Sequence, residues 1–330
     1  MKGVTTIMST TRIGRLTAAL LLVAVLALGV LALAACGSSS SSGAASSSPA
    51  ASASTASGPI TVTDDEGNQV TLDKPAQRIV SLAPANTEIV FAIGAGDKLV
   101  AGTTYDDYPA QAKSLPKIGD FNAPNIEKTA SYQPDLVLAA GGIQDKLRSK
   151  LESLGMKVYV VDPKTYDGTI QTIENIGKLA GAEAGAGQVG DKMTAAQQTV
   201  QAAVADLPKK TTFLEIYSKP LMTAGKATYI DDMIGIAGGD NIGAQAGAGF
   251  PNFSTEVLVK DDPQVYIADS GSMSKPGDIN QRAGFSALTA VKDGHVYVID
   301  DDTIARPGPR LALGLLALAR DIHPEASISQ

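Results

Sequence analysis

From position 58 onward the apolar positions fall into short β-rich runs separated by stretches of helical spacing. Residues 61–63 and 70–72 flank a polar segment containing Gly67-Asn68 and predict a small hairpin. β-rich runs follow at 78–82, 99–103, 135–139 and 157–161, with helical patterns at 86–93, 126–131 and 144–154 in the intervals, the last stopped by Gly155. From 169 to 206 the strand signal disappears. That stretch predicts a helix, an Ala/Gly-rich interruption at 181–187, and a long helix ending before Pro208. Strands resume at 212–217, 264–268 and 295–299. Such alternation predicts an α/β fold with mainly parallel sheets covered on both faces. The helical stretch between two groups of strands predicts two lobes on a helical spine; one continuous sheet is the competing arrangement.

An internal repeat supports the two lobes. Phe121, Glu127, Pro134 and Ala139 recur as Phe250, Glu256, Pro263 and Ala268, each pair 129 residues apart. In both copies an aromatic loop residue is followed by a capping residue (Asn125, Ser254), a glutamate in the first helical turn, a proline ending the helix, and a strand. Asn and Ser satisfy free amides at a helix start, and a carboxylate there is favoured by the helix dipole by about 0.3–1 kcal/mol. The glutamates therefore have a local stabilising role available, while the shared offset predicts equivalent loops on the same side of the two lobes.

The first 58 residues follow another pattern. Lys2, Arg12 and Arg15 precede a run, 16–35, that is apolar apart from Thr17, as in a secretory signal. A run of that length also suits a membrane-spanning helix. Leu33-Ala34-Ala35-Cys36 resembles the lipobox of bacterial lipoproteins, which implies cleavage before Cys36, acylation of its sulfur and anchoring to the cell membrane through lipid. Cys36 is the sole cysteine, so no intramolecular disulfide is available and acylation gives the thiol a use. Residues 37–58 are almost wholly Ser, Ala, Gly, Thr and Pro and read as a flexible tether.

Charge and chemistry narrow the function. The sequence has 27 basic and 34 acidic residues; three basic residues precede Cys36, so the remainder carries about −10. An acidic chain without a basic run is a poor partner for nucleic acid or for an anionic membrane surface. Two histidines, His295 and His323, and no Gly-x-Ser-x-Gly elbow leave little for a serine hydrolase or a zinc carrier. The Gly-rich runs at 94–96 and 243–249 lack a strand-to-helix context and read as a helix stop and a loop. His295 reads as a solvated residue in a turn.

Three stretches, Arg78-Ile79-Val80-Ser81-Leu82-Ala83-Pro84-Ala85-Asn86-Thr87-Glu88, Tyr105-Asp106-Asp107-Tyr108-Pro109 and 125–139, resemble the substrate-binding lipoproteins of ABC importers for cobalamin, ferric siderophores and haem. The hairpin, the repeat and Arg306-Pro307-Gly308-Pro309-Arg310 fit as well, so the resemblance covers 60–322. It implies two α/β lobes, each with a mainly parallel sheet flanked by helices, joined by one long rigid helix. The expected organisation is a signal peptide at 1–35, a lipidated tether at 36–58, an N-terminal lobe at 59–166, a helical spine at 167–208 and a C-terminal lobe at 209–330. The cobalamin-binding branch is the nearest match: Tyr105 resembles its aromatic cleft loop, and Asp302 and Arg306 match its polar cleft positions. Phe121 and Phe250 stand where that branch often has tryptophan, which this chain lacks entirely.

The resemblance implies a ligand site of Tyr105, Phe121, Tyr217, Phe250, Asp302 and Arg306, permease docking through Glu127 and Glu256, and lipidation of Cys36. It further implies a monomer without resident cofactor or catalytic residues, serving a permease and its ATPase, with a large metal chelate as cargo. A broad, mostly apolar ligand suits aromatic faces from two lobes. A hydroxamate siderophore or haem is the alternative cargo, haem through a tyrosine phenolate among Tyr105, Tyr108, Tyr217 and Tyr229. Catecholates rank lower because only Arg306 and Arg310 fall in a plausible cleft segment. A secreted lipoprotein enzyme and a purely structural surface protein are the readings from other classes.

Overall fold

The structure is a computed structural model that describes residues 58–328 except 272, 273 and 275. The expected signal peptide, Cys36 and nearly all of the tether lie outside the described residues. The hairpin is present: β1 (Ile60–Thr63) pairs antiparallel with β2 (Gln69–Leu72). Its turn is shaped by Asp64, whose carboxylate accepts from the amides of Glu66 and Asn68, and by Gly67 at φ 84°. A side chain is disfavoured at that φ, which is why glycine stands there.

The first large sheet contains β3 (Ile79–Ser81), β4 (Leu99–Ala101), β5 (Leu136–Ala140) and β6 (Val158–Val161) in the order β4-β3-β5-β6, all parallel. All four residues of β6 are buried, as expected of an apolar run covered on both faces. The helices α1 (Pro84–Ala92), α2 (Ile126–Ser131) and α3 (Asp145–Ser153) connect these strands.

Two long helices follow, α4 (Tyr166–Ala180), capped by the Thr165 hydroxyl, and α5 (Glu183–Val204). The break between them is only Gly181 and Ala182, shorter than the predicted 181–187, with Gly181 at φ 63° closing α4. Helix α5 runs on through Gly185 and Gly187, and at Gly185, as at Gly177 of α4, the lack of a side chain is used for packing. A Cβ on Gly185 would lie 2.0 Å from the Ile93 carbonyl oxygen, and one on Gly177 would lie 2.4 Å from the Ala186 methyl.

The second sheet comprises β7 (Lys210–Ser218), β8 (Leu221–Thr223), β9 (Gly239–Asn241), β10 (Val265–Asp269) and β11 (Val296–Ile299). Its order is β11-β10-β7-β8 with β9 also on β7; only β8 is antiparallel. Around it lie α6 (Tyr229–Ile236), α7 (Thr255–Asp261), α8 (Thr289–Lys292), α9 (Asp301–Ile304) and α10 (Leu311–Ile322). The sheets are separate, which removes the single-sheet arrangement. One apolar core nevertheless joins them, running from Ile79 and Leu138 through Ile173, Ile176 and Val200 to Leu214, Ile267, Leu315 and Leu318. Each sheet has a second, private core on its other face.

The repeat is structural as well as sequential. Asn125 accepts from the Lys128 amide at the start of α2, and Ser254 from the Val257 amide at the start of α7. Both helices are followed by a non-glycine residue at φ 46°, Gln133 and Asp262, then by the repeated proline and a central strand. The geometry at Gln133 and Asp262 keeps the same 129-residue offset.

Candidate functional site: an aromatic cleft crossed by an ion-pair cluster

The parallel strands β3 and β5 deliver their C-terminal ends to one edge of the first sheet, where the start of α1 and the loops after β4 and β5 meet residues 305–307 of the second lobe. They enclose a hollow of about 300 Å³ lined by Ala83, Pro84, Asn86, Tyr105, Phe121, Ala305, Arg306 and Pro307. A second hollow of about 560 Å³ is lined by Phe121, Ile143, Asp162 and Lys164 from the first lobe and Thr228, Tyr229 and Phe250 from the second. Phe121 lies on both, so the two hollows meet at its ring. Tyr105 and Phe250 are half exposed, at 54% and 45%, and present their rings to solvent. Asn86 is buried; its amide donates to the Leu138 carbonyl at 3.0 Å, and its carboxamide oxygen has no hydrogen-bond partner among the described residues.

Of the predicted ligand residues, Tyr105, Phe121 and Arg306 line the first hollow and Phe250 the second. Asp302 lines neither but holds Arg306, Nη2 to Oδ1 at 2.6 Å. Tyr217 is not brought to the cleft. β7 extends to Ser218 and pairs Tyr217 with Met222 of β8, so this residue stays within the sheet rather than entering a loop. The predicted docking residues Glu127 and Glu256 are exposed, and neither takes part in an ion pair among the described residues.

Glu88 is the residue that sequence reasoning passed over. Although 3% exposed, it accepts from Arg306 Nη1 at 2.8 Å and from Arg310 Nε and Nη2 at 2.7 Å each. Arg306 also reaches Asp107 at 2.7 Å, and Arg310 contacts Asp302 at 3.4 Å while its guanidinium stacks 4.4 Å from the Tyr108 ring centre. Two arginines from the second lobe are thus held by Glu88, Asp107 and Tyr108 from the first. Burial would lower the Arg306 and Arg310 pKa values, but the hydrogen bonds they donate to carboxylates, with the attraction of those charges, prevail and raise both. Asp107 is held below the usual carboxylate range by its hydrogen bond to Arg306.

Two of the four candidate tyrosines are poorly prepared to ionise. A hydrogen bond to Asp120 raises the Tyr105 phenol, and burial raises Tyr229. Tyr229 is 7% exposed, which also obstructs ligation through its oxygen. Among the described residues no group of three His, Cys, Asp or Glu is arranged to hold a metal ion, and no helix is long and apolar enough to cross a membrane.

A cleft between two parallel-sheet lobes joined by helices is a ligand-capturing architecture, and the model of the periplasmic binding protein family matches residues 79–303. This chain belongs to the periplasmic binding protein family. It is similar to YvrC of Bacillus subtilis, an uncharacterised ABC transporter substrate-binding lipoprotein, at 35% identity over 276 residues, covering 81% of this chain and 86% of YvrC. Among solved structures, the periplasmic vitamin B12 binding protein BtuF of Vibrio cholerae superposes with a TM-score of 0.68 at 29% identity, covering 76% of this chain and 98% of BtuF. A possible iron-binding periplasmic solute-binding protein of Staphylococcus epidermidis gives a TM-score of 0.64 at 33% identity, covering 76% of this chain and all of that one. The fold of two α/β lobes described above is thus similar to that of these two solved structures.

Proposed function

We propose that the protein is the extracytoplasmic solute-binding component of an ABC importer, which captures a large metal chelate, cobalamin first, between its lobes and delivers it to the permease and its ATPase. The observation that carries this reading is the aromatic lining supplied by both lobes, Tyr105 and Phe121 from one and Phe250 from the other, beside the polar pair Asp302 and Arg306. A wide, flat ligand with polar substituents at its edge uses both kinds of contact. It acts as a binding protein and not as an enzyme, and as a monomer. Cys36, in its lipobox-like setting, attaches it to the membrane, and Glu127 and Glu256 meet the permease, one from each lobe. The second reading is an iron chelate, for which we take a ferric hydroxamate; an iron-containing cargo is favoured by the similarity to the possible iron-binding Staphylococcus protein. Haem is the other alternative cargo, with the raised pKa values of Tyr105 and Tyr229 disfavouring ligation through those two phenolates.

Calorimetric titration with cyanocobalamin tests the proposal. Saturable binding is expected, weakened by about 1–3 kcal/mol in Phe121→Ala and Phe250→Ala, the range for loss of a buried aromatic contact. Binding of a ferric hydroxamate without binding of cyanocobalamin would replace the cargo and keep the importer role. Failure of every chelate to bind the folded protein would remove that role.

A further inference from the structure

Among the described residues that line the two hollows, the basic side chains Arg306 and Lys164 are each paired with carboxylates. Arg306 and Arg310 together face three carboxylates, Glu88, Asp107 and Asp302, so the cluster carries one net negative charge. Lys164, the basic residue on the second hollow, is paired with Asp162 on the same wall. Near the aromatic loop, Asp120 adds a further carboxylate beside Tyr105. The field presented to a ligand is therefore neutral to negative wherever these charged groups stand.

Resting on the proposed role in chelate capture, we propose that Glu88 is a specificity-determining residue, which neutralises the cleft arginines so that the site takes neutral or cationic chelates and rejects polyanionic ones. Glu88 is suited to this because it is buried at the first-lobe end of the cluster and binds both guanidiniums at once. A buried carboxylate in such contact is less screened by salt than a rim charge, so its effect reaches a ligand seated against Arg306. An anionic ligand would have to compete with Glu88 for the arginines, or enter a site whose net charge repels it. A neutral corrinoid or a cationic ferric trihydroxamate meets neither obstacle.

The test compares ligands of different charge on the same purified protein. Wild type, Glu88→Gln and Asp107→Asn are titrated with cyanocobalamin (neutral), a ferric trihydroxamate of net charge +1 and a ferric tris-catecholate of net charge −3. Wild type is expected to bind at least one of the first two and to bind the tris-catecholate at least about tenfold more weakly than that one. Glu88→Gln is expected to strengthen tris-catecholate binding by about tenfold and to weaken binding of the cation. A merely structural role would move all three ligands in one direction. Asp107→Asn, at a half-exposed carboxylate, is expected to give the same signs with smaller amplitude and serves if Glu88→Gln does not fold. Tightest wild-type binding of the tris-catecholate, or a uniform shift in the variants, overturns the charge assignment while leaving chelate capture intact. No binding of any chelate to the folded wild type overturns both.

Discussion

Glu88 lies in α1, where Ala85 to Val90 are all buried, so the helix has no solvated face on which to place a charge. That absence is the signal by which the sequence announces a buried ion pair, but its partners lie more than 200 residues away and no spacing rule reaches them. Arg306 and Asp302, four apart at helical spacing, were legible as a pair; their commitment to Glu88 was not. Asp269 is another of the buried carboxylates, at the end of β10, and its state sets a pH dependence. Burial pushes it up to about 6 against the Gly271 amide that it accepts from, and Asp301 and Glu215 add to the rise. The ordinary value is 3.8, so between that pH and about 6 the folded protein binds more protons than the unfolded chain. The stability contributed by this group is full below about 4 and is lost as pH rises through 6. Asp269→Asn keeps an oxygen for the Gly271 amide and removes the buried charge. Urea unfolding should find it more stable than wild type by about 1–3 kcal/mol at pH 7.5 and equal to it at pH 4. A variant no more stable at pH 7.5 would mean that the carboxylate is well compensated where it sits.

Elements with strong periodicity were readable from the chain. The hairpin and the β-rich runs appear within a residue or two of their predicted positions, and α2 at its predicted bounds, because buried parallel strands are short unbroken apolar runs and helix starts carry Asn or Ser caps. The weaker elements were not. β9 is the three-residue stretch Gly239–Asn241, without a single strand-favouring side chain, and exists because β7 extends to Lys210 and offers it an open edge. Glycines in α5 were misread as a break for a related reason: propensity says what glycine costs, and only packing says what it permits. Two substitutions separate these effects within one helix. At Gly185 a methyl would meet the Ile93 carbonyl oxygen at 2.0 Å, a backbone atom that cannot swing aside, while at Gly187 nothing lies within 4 Å. Gly185→Ala should therefore destabilise the protein by about 1–3 kcal/mol through displacement of α5 from α1. Gly187→Ala should stabilise it by up to about 1 kcal/mol through helix propensity alone. Thermal melts of both variants decide the matter, and equal effects of the same sign would show that helix propensity, not the contact with α1, governs both positions.

At the scale of the whole molecule, two α/β lobes were legible from the order of elements and the 129-residue offset, whereas the apolar core that joins them was not. That core depends on which face of α4, α5 and α10 meets which sheet, a long-range choice that local patterns leave open. The repeat places α2 and α7 at corresponding positions of the two lobes, each with an exposed glutamate in its first turn. If the helix dipole were the sole reason for these residues, any acidic or amide side chain within the first turn would serve, and reversal would cost a few tenths to about 1 kcal/mol of stability. If they contact a permease, reversal acts on a partner instead. Charges at the rim of an interface chiefly govern association with that partner, and the aromatic lining of the cleft is made by other residues. Glu127→Arg and Glu256→Arg should each reduce uptake of the bound chelate in cells, and the double variant should nearly abolish it. Ligand affinity measured on the purified proteins should stay within about twofold of wild type. Undiminished uptake by a folded double variant would return both glutamates to the helix-dipole role, and a parallel loss of affinity would move them from the docking face to the cleft.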